Sequence, residues 1–326
     1  MLIEPQKLRH SRPPLLAELR HLRARNAVAL LHIVFNIVAL VGGVLLARKT
    51  QGWALYAVSQ ILVAFAFTHA FVLLHEAGHH TLFRQARLNN LVGHLAGWVA
   101  LIPYASWRPI HARHHHYTGW QDRDATTAAL VTRPMSRWQR GIINFAWRGW
   151  LPLFSILYRL QNYWYLPRAM RYLGSAGKPV RMGLNAALML LGYGVLLSWV
   201  GAVQFLWLVG PGLYLALMAQ DILLLSQHTH MPTHLSGGEN VRPFTPMQQV
   251  AFTRSLRLPS WLSRVLLHFD AHELHHMYPA IPGYLLRQVA YTPPNEVSWL
   301  TWIRAAKRLS GTDFLFGKRE QTGFKI

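Results

Sequence analysis

Nineteen of the 326 residues are histidines, and those able to act together fall into three clusters. The first reads His75-Glu-Ala-Gly-His79-His80 and the second His111-Ala-Arg-His114-His115-His116. The third, His272-Glu-Leu-His275-His276, lies far downstream. Histidines three and four apart project from one face of a helix, close enough to grip one ion. A further segment, Ser226-Gln-His228-Thr-His230-Met-Pro-Thr-His234, offers one more ligand. About nine imidazoles suit two first-row metals, four or five to each. Cysteine is absent, which excludes disulfides, thiolate-held zinc and iron–sulfur clusters. Imidazole suits iron, copper, zinc and nickel alike, so the ligand type alone does not name the metal.

The elements that must position these clusters are apolar. The chain is 52% hydrophobic and only 14% charged, where soluble domains carry about a quarter charged residues. Four runs, 27–47, 53–74, 183–203 and 205–225, approach the roughly 20 residues that a spanning helix needs. Short links pair them into two helical hairpins. The segment 91–104 is too short to span and reads as re-entrant or interfacial. The segment 142–158, broken by Arg148 and Pro152, reads as lying along the interface. Pro14–Arg25 reads as a short amphipathic helix on the membrane surface, and Ser298–Leu309 as a short basic amphipathic helix for membrane-surface contact or partner docking. No signal peptide, internal repeat or low-complexity tract is expected.

Charge placement orients the whole. Of 33 Lys and Arg, only Arg48 and Lys49 occupy a hairpin tip; the remaining 31 lie in the N-terminus, 82–182 and the last hundred residues. By the positive-inside rule these three parts share the cytoplasmic side, with every histidine cluster among them. The net charge of +21 is then sorted by membrane side, which excludes nucleic acid as the partner. The expected architecture is an all-α membrane protein over residues 1–326. Four transmembrane helices in two hairpins, with interfacial helices, lie under a cytosolic helical cap (75–182 and 226–326) that holds a dimetal site.

Two other motifs compete. His75-Glu76-Ala-Gly-His79 satisfies the zinc-protease signature, but no Leu-Asp-Gly supplies the third ligand and the other two clusters go unexplained. Glu76-x-x-His79 and Glu273-x-x-His276 imitate carboxylate-bridged di-iron bundles. Those need a glutamate from each of two further helices, and the only carboxylate in the other spans is Asp221.

The text around the clusters resembles the membrane fatty acid desaturase family, whose histidine boxes read HxxxH, HxxHH and HxxHH. His75-Glu-Ala-Gly-His-His-Thr-Leu-Phe83 is similar to the first box, and Trp107-Arg-Pro-Ile-His-Ala-Arg-His-His-His-Tyr-Thr-Gly119 to the second. His272-Glu-Leu-His-His276 with Pro279-Ala-Ile-Pro-Gly-Tyr284 is similar to the third. The likeness covers about 68–287 and is greatest to bacterial and cyanobacterial acyl-lipid desaturases. It implies two irons held by His75, His79, His111, His114, His115, His228, His272, His275 and His276. His80 falls where some members carry arginine, and His116 falls outside the box pattern. His230 and His234 offer alternative alignments to His228.

The resemblance also implies dioxygen as co-substrate and an alkene as product. A hydroxylase, ketolase or decarboxylase on the same scaffold, or a catalytically silent metal- or lipid-binding membrane protein, are the other readings. Asp124, Asp221, Asp270 and Glu273 are candidates to orient the imidazoles from behind. No dinucleotide fingerprint or haem domain is visible, so electrons come from outside, and the basic face suits an acidic donor such as a ferredoxin. The substrate is an acyl-lipid, an acyl carrier or a free fatty acid. A bacterial inner membrane with the site on the cytoplasmic side is the expected location. Cysteines placed singly at Ser11, Ser136 and Ser310 are predicted to resist an impermeant thiol reagent in intact cells; labelling of any one breaks this topology.

Overall fold

The computed structural model describes residues 13–317; the first twelve residues and the polar tail from 318 to 326 lie outside the described residues. Four helices are long and apolar enough to cross a membrane: α1 (Asn26–Lys49), α2 (Trp53–Gly78), α8 (Pro179–Val200) and α9 (Ala202–His228). They match the four apolar runs to within a few residues. Between them come α3 (Ala86–Val99), α4 (Tyr104–Tyr117), α5 (Arg137–Arg148), α6 (Leu153–Arg159) and α7 (Leu166–Leu173). After α9 come α10 (Ser260–Val265), α11 (His272–Met277), α12 (Gly283–Leu286), α13 (Trp299–Ala306) and α14 (Gly311–Phe316). The only sheet among the described residues is a parallel pair, β1 (Leu256–Arg257) with β2 (Val297–Ser298).

Helix α2 is the axis. Its most apolar stretch is 67% buried, against 6% for α8, because α1, α3 and α9 all pack on it. The second hairpin is looser than its one-residue link at Gly201 suggests: α9 lies mainly against α2, and α8 turns its apolar surface outward. Close packing of α9 on α2 depends on Gly212, where a Cβ would meet Val63 at 2.6 Å and the Gln60 carbonyl at 2.9 Å. Small residues at such crossings let backbones approach where no hydrophobic effect drives helices together.

The same crossing repairs a break. Pro211 sits inside α9 and has no N–H for the carbonyl one turn earlier. The Tyr56 hydroxyl donates to that carbonyl, Trp207, at 2.7 Å. The Gln60 amide takes the next position, its Nε2 donating to the Leu208 carbonyl at 3.1 Å while its Oε1 accepts from Gly212 N–H at 2.9 Å. In lipid such backbone groups have no water to turn to.

The cap corrects two expectations. Pro14–Arg25 forms turns rather than a helix, and it lies on protein. Leu19 and Leu22 are buried against Leu274, Met277 and Ile281, while the Tyr278 hydroxyl donates to the Pro14 carbonyl at 2.7 Å. Helix α13 does form within 298–309, yet its Trp302 and Ala306 are buried with Leu225, Leu256 and Phe314. In both segments part of the apolar surface covers a neighbouring part of the cap, while Leu15, Leu16 and Leu300 stay exposed. Segment 142–158 divides into α5 and α6, and Trp138, Ile142 and Phe145 remain exposed, as an interfacial helix requires.

Replacing Gln60 by leucine orphans two buried backbone groups of α9 and is predicted to destabilise the protein by about 2 kcal/mol, seen as a lower unfolding temperature in detergent. An unchanged transition temperature would mean that the amide bridges nothing of consequence.

Candidate metal centre

Helical periodicity sorts the histidines. Residues four apart share a face, whereas adjacent residues on a helix diverge by about 100°. Thus His75 with His79, and His111 with His115, point into one cluster, which His275 completes. His272 and His276 point into the other, with His114 and His228. Each adjacent pair, His114–His115 and His275–His276, is divided between the two. In each cluster one ring nitrogen from every histidine lies within 4.8 Å of the others.

The nitrogens converge tightly. His79 Nε2 approaches His111 Nε2 at 2.8 Å, and His115 Nε2 lies 3.2 Å from His111 Nε2 and 3.0 Å from His275 Nε2. In the second cluster His272 Nε2 and His228 Nε2 are 2.9 Å apart. Two nitrogens bound at right angles to one ion, with bonds of about 2.1 Å, stand about 3 Å apart. His75 Nε2 and His276 Nε2 are buried with no hydrogen-bond partner. Unpaired buried nitrogens are costly, and a cation in each cluster removes the cost. The all-nitrogen donor set fits imidazole-binding first-row metals, iron among them.

Burial, and then the neighbouring imidazoles, hold His79, His111, His115, His272, His275 and His276 below the usual histidine range. These six are neutral at physiological pH, the form that binds metal.

Groups behind the rings fix which nitrogen faces inward. Asp124 Oδ2 lies 2.7 Å from His114 Nδ1. Burial alone would raise Asp124, but His114 and a hydrogen bond from Thr126 bring it down to about 2. It is therefore a carboxylate, and His114 Nδ1–H donates to it, leaving Nε2 free. Gln249 spends its Nε2–H on the His115 carbonyl at 2.6 Å, so its Oε1 accepts from His276 Nδ1–H at 2.8 Å. The Phe252 carbonyl accepts from His228 Nδ1–H at 3.3 Å. Glu76 Oε1 lies 3.4 Å from His75 Nδ1. Its Oε2 accepts from Gly283 N–H and from the Thr81 hydroxyl, both at 2.8 Å. A Cβ at Gly283 would sit 2.3 Å from the Leu267 carbonyl, so only glycine lets this backbone close on Glu76. The contact joins the first box to the segment after the third.

The other candidates lie elsewhere. Asp221 accepts from Ser155 N–H at 2.7 Å and ties α6 to α9. Asp270 accepts from the Ser263 hydroxyl and pairs with Arg287, both at 2.6 Å. Glu273 accepts from Asn295 N–H at 2.8 Å and Ser255 N–H at 3.2 Å; burial raises it to about 7. Asp270 and Glu273 brace the loops around the third box, and none of the three makes a hydrogen bond to a cluster imidazole among the described residues. Of the four carboxylates expected behind the rings, Asp124 alone touches one.

Outside both clusters lie His80, His230 and His234. His230 is 3.2 Å from the Asp313 carbonyl and stacks on Phe314, and His234 packs among Trp120, Phe244 and Phe252. His116 is exposed beside Tyr117. Sequence reasoning missed Gln249 and Glu76 as supports. Gln249 stands in no motif, whereas Glu76 stands in the first box, where its spacing suggests a catalytic base or a bridging carboxylate rather than a strut.

Replacing Asp124 or Gln249 by alanine is predicted to weaken metal retention about 10- to 100-fold, measured by competition with a chelator. His116→Ala is expected to retain metal like the unaltered protein. Equal retention in all three would show that the rings need no support from behind.

Residues 51–296 match the sequence profile of the fatty acid desaturase family. Among similar proteins is the sn-1 acyl-lipid omega-3 desaturase (ferredoxin) of Synechocystis sp., 25% identical over 74% of this chain and 68% of the relative. The sn-1 oleoyl-lipid 12-desaturase of Picosynechococcus sp. is 26% identical over 84% and 78%. The chloroplastic omega-3 fatty acid desaturase of Glycine max is 24% identical over 78% of this chain. The chain spans only 58% of that soybean relative's length, and 63% of a chloroplastic sn-2 acyl-lipid omega-3 desaturase of Arabidopsis thaliana. With four apolar helices of spanning length, this is a multi-pass membrane protein. The chain belongs to the fatty acid desaturase family.

Proposed function

We propose that the protein is an oxygen-dependent fatty acyl desaturase, and that residues 1–326 form one integral-membrane unit holding two iron ions. The observation that carries this reading is the pair of buried all-imidazole clusters at the end of an apolar cavity. Iron bound there would supply dioxygen activation and removal of hydrogen from an unactivated methylene.

The chain's own residues supply position. Five cluster histidines, His75, His111, His114, His228 and His272, line a cavity together with Thr126, Leu130, Phe154 and Tyr158. Those last four also line a larger apolar chamber between α5, α6, α9 and α14. An acyl chain threaded through the chamber would bring one methylene before the imidazoles, and bulky walls there keep water away. Such positioning removes the entropic cost of finding the reacting geometry.

The substrate is taken to be a long acyl chain on a lipid, as the names of the cyanobacterial relatives say of those proteins. A ferredoxin-like acidic protein suits the basic cytoplasmic face as electron donor. The Synechocystis relative's name likewise includes ferredoxin. The proposed setting is a bacterial inner membrane with the clusters on the cytoplasmic side, which the placement of Lys and Arg supports.

Purified protein with ferredoxin, ferredoxin reductase, NADPH and acyl-lipid is expected to yield an internal alkene. Neighbouring chain lengths should react too, since one methylene is worth only about 1–3 kcal/mol. Oxygen-18 retained in an alcohol, or a terminal alkene one carbon shorter with carbon dioxide released, would contradict desaturation while leaving the metal centre standing.

A further inference from the structure

The acyl chamber does not end blindly. Its wall at Ala146, Trp147, Leu151 and Asp221 is shared with a smaller chamber between α5, α9 and α13. Trp150, Trp302 and Lys307 help to line this second space. Trp302 is 1% exposed, and its indole N–H is buried without a hydrogen-bond partner. A buried donor left unpaired is unusual and calls for an acceptor. Lys307 adds a second donor: its ammonium bonds the Trp147 carbonyl and lies over the rings of Trp147 at 4.0 Å and Trp150 at 3.9 Å. Burial lowers Lys307 to about 8, with Asp221 opposing the shift, so it still carries its charge at neutral pH.

The three cavities form a series from cluster histidines to this chamber, each sharing wall residues with the next. The chamber lies at the depth of Asp221, two helical turns from His228 along α9, about 10 Å. Trp147 and Trp150 are half-buried at the end of the helix whose Trp138 and Phe145 stay exposed, and aromatic rings beside a lysine suit a membrane interface.

We propose that this chamber binds the acyl ester of a membrane glycerolipid, with the Trp302 indole N–H and the Lys307 ammonium donating to the ester carbonyl oxygen. The acyl chain then runs past Trp147 and Leu151 toward the histidines. A neutral carbonyl fits better than a phosphate or free carboxylate, because Asp221 faces the same space and would repel an anion. The site names the ester as the group that sets the register of the chain. It rests on the desaturase reading only for the fate of the lipid, and its test does not require turnover.

The probe is dioleoylphosphatidylglycerol in competition with its diether analogue, which has the same head group and tails but no ester carbonyl. Both are added to the detergent-solubilised, metal-loaded protein and read by native mass spectrometry. The diester is expected to be retained about five- to tenfold over the diether, the worth of one or two hydrogen bonds. Trp302→Phe and Lys307→Met should each bring the ratio toward one, while Arg140→Met, exposed on α5 and outside all three cavities, should leave it unchanged. Equal retention by the unaltered protein, or a preference that survives both chamber variants or is lost with Arg140→Met, overturns the assignment. So does displacement of the diester by an equimolar long-chain acyl thioester of pantetheine. Ester preference without any alkene product would defeat the desaturase reading and leave this site intact; alkene without ester preference would do the reverse.

Discussion

Everything in this molecule answers to one constraint: nine imidazoles from four segments, six buried and three half-buried, must face their nitrogens toward one another. Neutral imidazoles packed nitrogen to nitrogen satisfy few hydrogen bonds. Burial without partners costs free energy at each. Cations between them reverse that balance, and the protein then has only to keep each ring turned the right way. Asp124, Gln249 and the Phe252 carbonyl do this in the second cluster by accepting from outward Nδ1–H groups.

The ligand segments are held by two joints. One is the crossing of α2 and α9, where Tyr56 supplies the hydrogen bond that Pro211 cannot and Gln60 bonds the neighbouring Leu208 and Gly212. It fixes the helix that carries His75 against the helix that carries His228. The other is Glu76, buried beside His75, which accepts from Gly283 just beyond the third box. A carboxylate in the first box thus serves as a strut rather than as the base of a protease.

Spacing made much of this legible in the sequence. Apolar runs of spanning length anticipate the four helices, and the spacing of the three boxes anticipates most of the residues that gather. The choice of His228 over His230 and His234 came from the family resemblance. The rest depends on tertiary contact. Gln249 is an ordinary glutamine until the 248–252 turn sets it between His115 and His276. Asp221 lies on α9 two turns before His228, a spacing that suggests a view of the metals, yet Ser155 of α6 captures it. Leu19, Leu22 and Trp302 are apolar faces whose covering could be lipid or protein. Periodicity alone does not distinguish these, because both are equally free of water.

The central claim is that two metals sit in two all-nitrogen clusters. Elemental analysis of anaerobically purified, iron-reconstituted protein, joined with iron K-edge X-ray absorption, tests it most directly. The account predicts about two irons per chain, a first shell of nitrogen with oxygen and no sulfur, and an imidazole scattering pattern that weakens in both His115→Ala and His272→Ala. A single zinc per chain that survives both substitutions would contradict it.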